Sequence, residues 1–149
     1  MKTEILLDEI KELIPHRDPF LFLDKLFNIE KLSSATGYKK FNKDTSFFKG
    51  HFPEKAVVPG VILIEMMAQT AAALIAYSIK EETFDKIVYL MNIGETKFRK
   101  PVFPEDEVFA YVKATRSRGR VWKFMGIAKD KDQNIIAEST WSATIMDKD

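Results

Sequence analysis

The amino-acid sequence predicts an α+β fold in which an antiparallel β-sheet wraps around one long central helix. Residues 56–79 form a stretch of 24 residues with a single charge, Glu65, and apolar residues on nearly every side of a helix require that the helix be enclosed. The sequence changes to the alternating pattern of β-strands after this stretch, most clearly over residues 135–145. A curled antiparallel sheet with one covered face satisfies both observations.

Length and composition are typical of one domain, residues 1–149. The chain is 46% hydrophobic and 30% charged, and its formal net charge is +1, which gives no electrostatic argument for binding nucleic acid. The apolar stretch could span a bilayer by length, but Glu65, Gln69 and Thr70 are costly in hydrocarbon. We therefore expect a buried helix, no membrane insertion, and, without a targeting signal, a cytoplasmic protein.

One short helix and two strands are predicted before the central helix, over residues 8–14, 20–30 and 35–41. A polar connection over residues 42–50 follows, and Pro59 fits the first turn of the central helix, which continues to Glu81 or Glu82. Three or four strands come next, over residues 86–98, 107–115, 120–130 and 135–145. In the last of these, one face carries Ile135, Ala137, Trp141, Ala143 and Ile145, as expected for a half-buried strand.

The chain has no cysteine and two histidines, His16 and His51. Disulfides, thiolate metal sites and cysteine nucleophiles are therefore excluded, and so is a zinc site built on three histidines. The absence of cysteine also fits a reducing compartment. We expect neither a metal nor a cofactor.

Three features could carry chemistry. Glu65 has no cation among its helical neighbours, so burial should keep it protonated for general-acid work; a carboxylate stabilised by the helix dipole, or paired across a subunit interface, explains it equally well. His51 lies in the turn Gly50-His51-Phe52-Pro53, as either a general base or a structural residue. At Gly60, the free N–H groups of a helix start could bind a ligand carbonyl in an oxyanion hole.

Taken together, these residues resemble the bacterial 3-hydroxyacyl-acyl-carrier-protein dehydratases of fatty-acid elongation. The family's pattern is a Gly-His-Phe-Pro turn, a Pro-Gly helix start and an acid fourteen residues after the histidine, and Glu65 lies 14 residues after His51. Residues 13–21 and 97–104 also match, so the resemblance covers nearly the whole chain. A glutamate rather than an aspartate at the acid position matches the branch that dehydrates without isomerising the double bond.

The resemblance implies the hotdog fold and a lyase that removes water from a (3R)-3-hydroxyacyl thioester. His51 would be the base and Glu65, or water held by it, the acid. The backbone at Gly60 and Val61 would bind the thioester carbonyl. Gln69, one helical turn beyond Glu65, either orients the acid or only packs.

The resemblance also implies partners. His51 and Glu65 of one site would come from different subunits of a homodimer, which can assemble into a hexamer as a trimer of dimers. The acyl carrier protein is acidic, so a basic rim is expected. Lys97, Arg99 and Lys100, or Arg116, Arg118 and Arg120, could form it; a solvated strand edge explains the same charges. His16 is interpreted as structural.

Two other functions are compatible with the predicted fold. A hotdog thioesterase would hydrolyse the same thioesters, but the spacing of His51 and Glu65 has no special place in that chemistry. A non-catalytic acyl-chain binding protein would leave both residues without a purpose.

Overall fold

Seven antiparallel strands and two helices make up the structure, a computed structural model that describes residues 4–79 and 86–147. The elements in chain order are β1 Glu4–Leu6, α1 Leu7–Leu13, β2 Lys25–Glu30, β3 Ser34–Lys40, a 3₁₀ turn Ser46–Lys49, α2 Gly60–Ser78, β4 Lys86–Phe98, β5 Glu107–Arg118, β6 Val121–Lys129 and β7 Ile135–Asp147. The strands form one sheet in the order β1-β2-β3-β5-β6-β7-β4. This confirms the predicted sheet around a central helix.

The concave face of the sheet packs on α2, which is the most buried element of the fold. The backbones approach closely where β3 crosses the helix, because a Cβ at Gly37 would lie 2.2 Å from Thr70 Oγ1. The helix begins at Gly60, after Pro59, and ends at Ser78, so the predicted helix is too long at Ile79; residues 80–82 of the predicted helix lie outside the described residues. Although α2 is long and apolar enough to cross a membrane, most of it is buried inside the fold.

The predicted strand over residues 20–30 begins only at Lys25. Residues 20–24 are instead a loop, in which two backbone polar groups bond to a helix side chain, while Asp24 N at the end of the loop donates to Tyr38 O of β3 at 2.7 Å. Gln69 Oε1 accepts from Phe22 N at 2.8 Å, and Gln69 Nε2 donates to Phe20 O at 3.0 Å. The sequence analysis also missed β1, whose three residues are too few to show a period, and the 3₁₀ turn in the polar connection.

The buried face of β7 differs from the prediction at its first residue. Ala137, Trp141 and Ala143 are buried as expected, but Ile135 is 38% exposed and Ile136 only 2%. The register between β6 and β7 shifts at Ala128/Lys129, so that Lys129 pairs with Ile135 while Ala128 pairs with Ala137. This register shift directs the side chain of Ile136, rather than that of Ile135, into the core.

The sheet does not enclose α2 completely. A stripe of the helix that includes Val61, Glu65, Ala68 and Ala76 is exposed or half-buried, and Val61 is 69% exposed. The strand nearest this opening, β4, has β7 as its one neighbour among the described strands and is exposed on both faces over residues 89–95. Within a single chain, this stripe of the helix therefore stays uncovered.

Candidate active site

Glu65 lies on the uncovered stripe of α2 and borders a cavity of about 150 Å³. The other lining residues come from the loop before β2, from α2 and from three strands: His16, Ala68, Gln69, Ala71, Ala72, Val88, Tyr89, Leu90, Phe124, Trp141 and Ala143. Most of these lining residues are apolar. Polar atoms are concentrated at one end, where Glu65, Gln69 and His16 meet.

Gln69 holds the Glu65 carboxyl in place. Its side chain is 1% exposed, and its Nε2 donates to Glu65 Oε2 at 2.9 Å. The two bonds to the backbone of Phe20 and Phe22 fix which end of the amide is nitrogen, since Phe22 N can only donate and Phe20 O can only accept. Gln69 thus connects the loop, the helix and the acid.

His16 also reaches this carboxyl, although the sequence analysis interpreted it as structural. Its Nε2 lies 3.5 Å from Glu65 Oε2, and its Nδ1 is buried without a hydrogen-bond partner in the described part of the chain. Burial lowers the pKa of His16 below its ordinary value; the negative charge of Glu65 opposes this shift and the positive charge of Arg17 adds to it. His16 is therefore neutral near pH 7.

His51 lies elsewhere in the same chain, in the turn before α2. Its Nδ1 is 2.9 Å from Val57 O, and its ring packs on Phe52 with 4.3 Å between centroids. Because a carbonyl only accepts, the neutral form of the ring carries its proton on Nδ1, and that tautomer has the Nε2 lone pair that a base requires. His51 is not among the described residues that line the Glu65 cavity, so one chain does not bring the two predicted catalytic residues together there.

The start of α2 brings Gly60 and Val61 to the surface. The ring of Phe98 covers one side of Gly60, where an added Cβ would lie 2.9 Å from Phe98 Cε1. The first N–H groups of a helix have no intrahelical acceptor. These donors therefore lie at a glycine that the Phe98 ring approaches closely.

Comparison with known proteins decides the family. Residues 14–139 match the FabA-like domain. The chain belongs to the FabA-like dehydratase family. It is 44% identical over 149 residues to the 3-hydroxyacyl-[acyl-carrier-protein] dehydratase FabZ of Rhodospirillum rubrum, covering 100% of this chain and 92% of the relative. It is 47% identical over 137 residues to FabZ of Gluconacetobacter diazotrophicus, covering 92% and 84%.

Solved structures confirm the hotdog fold of this FabA-like dehydratase. The dehydratase heterocomplex ApeI:P from Xenorhabdus doucetiae superimposes with a TM-score of 0.79 at 14% identity, over 93% of this chain and 91% of that one. A Thermus thermophilus thioesterase superfamily member gives a TM-score of 0.65 at 14% identity, over 80% and 85%. Identities this low support the shared fold and nothing about chemistry.

Sequence reasoning on this dehydratase singled out Glu65 but not all of its surroundings. Glu65 and Gln69 are four residues apart in a helix, and that spacing alone predicts contact. The approach of His16 depends on the path of the loop over α2, which no periodicity reports. Among the described residues, no three His, Cys, Asp or Glu side chains form a group that could hold a metal ion.

Proposed function

We propose that this chain dehydrates (3R)-3-hydroxyacyl thioesters of acyl carrier protein to trans-2-enoyl thioesters, with His51 as base and Glu65 as acid. Membership of the family and the FabZ relatives support the reaction. The observation that carries the residue assignment is the Glu65 carboxyl, held by Gln69 at the polar end of an otherwise apolar cavity. Such a site can accept an acyl chain beside one proton donor.

The dehydration requires two proton transfers, one from C2 of the substrate and one to the departing hydroxyl. His51 Nε2 takes a proton from C2 of the substrate, and the electrons of that C–H bond form the C2–C3 double bond as the C3–O bond breaks. Glu65, or water held by it, protonates the departing hydroxyl, which leaves as water. The N–H groups of Gly60 and Val61 at the start of α2 polarise the thioester carbonyl and stabilise negative charge on its oxygen.

The active site is shared between two subunits in this proposal. Each chain leaves His51 and the Glu65 cavity apart, and each leaves the apolar residues Tyr89, Leu90, Met91 and Ile93 of edge strand β4 exposed. A long, apolar edge strand can pair with a second copy. A homodimer formed this way would cover the open stripe of α2, and three such dimers could form a hexamer.

The acidic carrier protein docks, in this proposal, on the hairpin between β5 and β6. Of the two candidate basic groups, the first is neutralised within the chain, since Lys97 lies 3.7 Å from Glu95, Arg99 contacts Glu138 and Lys100 contacts Asp130. Arg116 and Arg118 are exposed and have no ion pair among the described residues, while Arg120 is 3.9 Å from Asp147. The hairpin therefore keeps more charge available for an anionic partner.

No cofactor takes part in the proposed chemistry, because both proton transfers use side chains of the protein. A cytoplasmic location is proposed on the absence of cysteine, which fits a reducing compartment.

The reaction is tested by incubating the purified protein with a 3-hydroxyacyl thioester of acyl carrier protein. Mass analysis should show loss of one water from the acyl chain with the thioester intact. Release of free carrier thiol without an enoyl product would instead identify the chain as a thioesterase, and binding without turnover as an acyl-chain binding protein.

The shared site is tested by mixing two inactive variants. His51→Ala and Glu65→Gln should each lose about 10²–10⁴-fold in kcat, as expected for general acid–base residues. After unfolding and refolding together, random heterodimers should contain one intact site, restoring about a quarter of wild-type activity. Refolding each variant alone is the control. A mixture that stays inactive although heterodimers form would exclude the shared site.

A further inference from the structure

His16 is not one of the two catalytic residues proposed above, but it contacts one of them, Glu65. His16 comes from the loop between α1 and β2, and its Nε2 is 3.5 Å from the same oxygen, Oε2, that accepts from Gln69. We propose that His16 is a positioning residue, whose neutral imidazole donates its Nε2–H to Glu65 Oε2 so that the catalytic proton is carried on Oε1. This inference rests on the proposed role of Glu65 as the acid.

The surroundings of the imidazole fix its tautomer. Nδ1 is buried and meets no hydrogen-bond partner in the described ranges, 4–79 and 86–147. A proton there would be a buried donor without an acceptor, whereas a proton on Nε2 faces an oxygen of Glu65. The Nε2–H tautomer therefore has the lower free energy.

Burial, rather than charge, keeps the ring neutral. Burial lowers the pKa of His16, and Arg17, the neighbouring residue, opposes a second positive charge. Glu65 acts in the other direction, and Lys86, which borders a small apolar pocket that His16 also lines, contacts Asp147. A protonated ring would also place a proton on the unpartnered Nδ1.

Two donors aimed at one oxygen decide the orientation of the acid. Gln69 Nε2 must donate, because the other contacts of Gln69 fix its amide. Oε2 is thus occupied as an acceptor, and a protonated Glu65 carries its hydrogen on Oε1. The distance of 3.5 Å from His16 to Oε2 exceeds the usual range of about 2.7–3.2 Å; catalytic contacts are often long without substrate and shorten in the complex.

Two substitutions separate the donor from the bulk of the ring. His16→Phe keeps the ring and removes the donor; it should lower kcat roughly tenfold, the value of one hydrogen bond to a reacting group, and leave KM nearly unchanged. His16→Gln can place an N–H where Nε2 was and should restore most of kcat. Pro15→Ala, in the same loop, leaves the imidazole in place and is the control for general loop damage; it should keep wild-type kcat.

The outcomes separate this inference from the proposed function. If the wild-type protein dehydrates and His16→Phe is equally active, the positioning role is wrong and the proposed function stands. If His16→Gln is as impaired as a folded His16→Phe, the donor role is also wrong, because glutamine can donate but cannot act as a base.

The tautomer gives a readout that needs no turnover. Imidazole ¹⁵N NMR of the assembled wild-type protein should show His16 neutral at pH 7 with its hydrogen on Nε2. A hydrogen on Nδ1, or a charged ring, would overturn the inference even if His16→Phe failed to fold. Absence of dehydration by the wild type, with the Nε2–H tautomer present, would instead count against the proposed function.

Discussion

Replacing Gln69 with methionine should destabilise the fold and weaken catalysis at the same time. Methionine has a similar length and volume but no donor or acceptor of comparable strength. The change removes the bond to Glu65 Oε2 and both bonds to the loop, from Phe22 N and to Phe20 O. Because Gln69 is buried, water does not reach all the groups that lose their partner.

The expected loss in the free energy of unfolding follows from these bonds. An unsatisfied buried polar group costs about 1–3 kcal/mol, and Phe22 N is fully buried in its bond to Gln69 while Phe20 O is only partly shielded. We count the cost of the unsatisfied Phe22 N in full and that of Phe20 O in part, and subtract a gain from burying the more apolar methionine. The free energy of unfolding should therefore fall by about 2–3 kcal/mol. The loss of a donor to Glu65 should also lower kcat.

Ser78→Ala is the matched control on the same helix. Ser78 Oγ likewise accepts from a backbone N–H of a distant loop, that of Leu32 at 2.9 Å, but this bond is exposed. Water can replace the serine there, so the loss should stay below about 1 kcal/mol. Urea unfolding measures the free energy of unfolding of both variants. The protein concentration must be the same for both, because the stability of an oligomer depends on it. Equal stability of the two variants would refute the reasoning.

Three further predictions concern charge, pH and assembly. Changing Arg116 and Arg118 together to Glu should raise KM for the carrier-bound substrate about tenfold or more and leave a small thioester unaffected, whereas Arg99→Gln should change KM little; equal effects in steady-state assays would contradict docking on the hairpin. The pKa of His16 is lowered from 6.5, so the unfolded chain binds a proton that the folded chain does not as the pH falls below that value. Urea unfolding from pH 8 to 5 should show a steeper acid loss of stability for the wild type than for His16→Gln, and parallel curves would contradict this. Met91→Lys puts a charge on the exposed β4 edge and should dissociate the oligomer in sedimentation; an intact assembly would exclude this edge from the interface.

The elements that could be predicted from the sequence are those with a long, regular pattern. The apolar stretch gives α2, and the boundaries predicted for the strand over residues 86–98 agree with β4. The turn between β5 and β6 is likewise a local feature, because Gly119 has a φ of +62° there, a conformation that glycine adopts without strain. Short elements such as β1 provide too few residues for a period to be visible.

The polar end of the cavity could be predicted only in part. Glu65 and Gln69 follow from helical spacing, but the three-residue contact with Phe20 and Phe22 joins positions 47 and 49 residues apart. The apolar composition of residues 20–24 is typical of a strand, and it is the buried amide of Gln69 that lets this segment remain a loop. Strand propensity reflects the conformational preference of each residue itself, whereas the conformation of residues 20–24 depends on the side chain of Gln69, which is distant in sequence.

The separation of His51 from the Glu65 cavity has a consequence for how the proposed enzyme depends on assembly. Each group is already prepared within its own chain: Val57 O fixes the tautomer of His51, and Gln69 fixes one oxygen of Glu65. Association would then join two ordered half-sites, and little catalytic free energy would be lost to rearrangement. Activity per chain should therefore follow the fraction of dimer on dilution in simple proportion, with no lag beyond association itself. A dimer that is fully formed but slow to become active would show that the half-sites are not ordered beforehand.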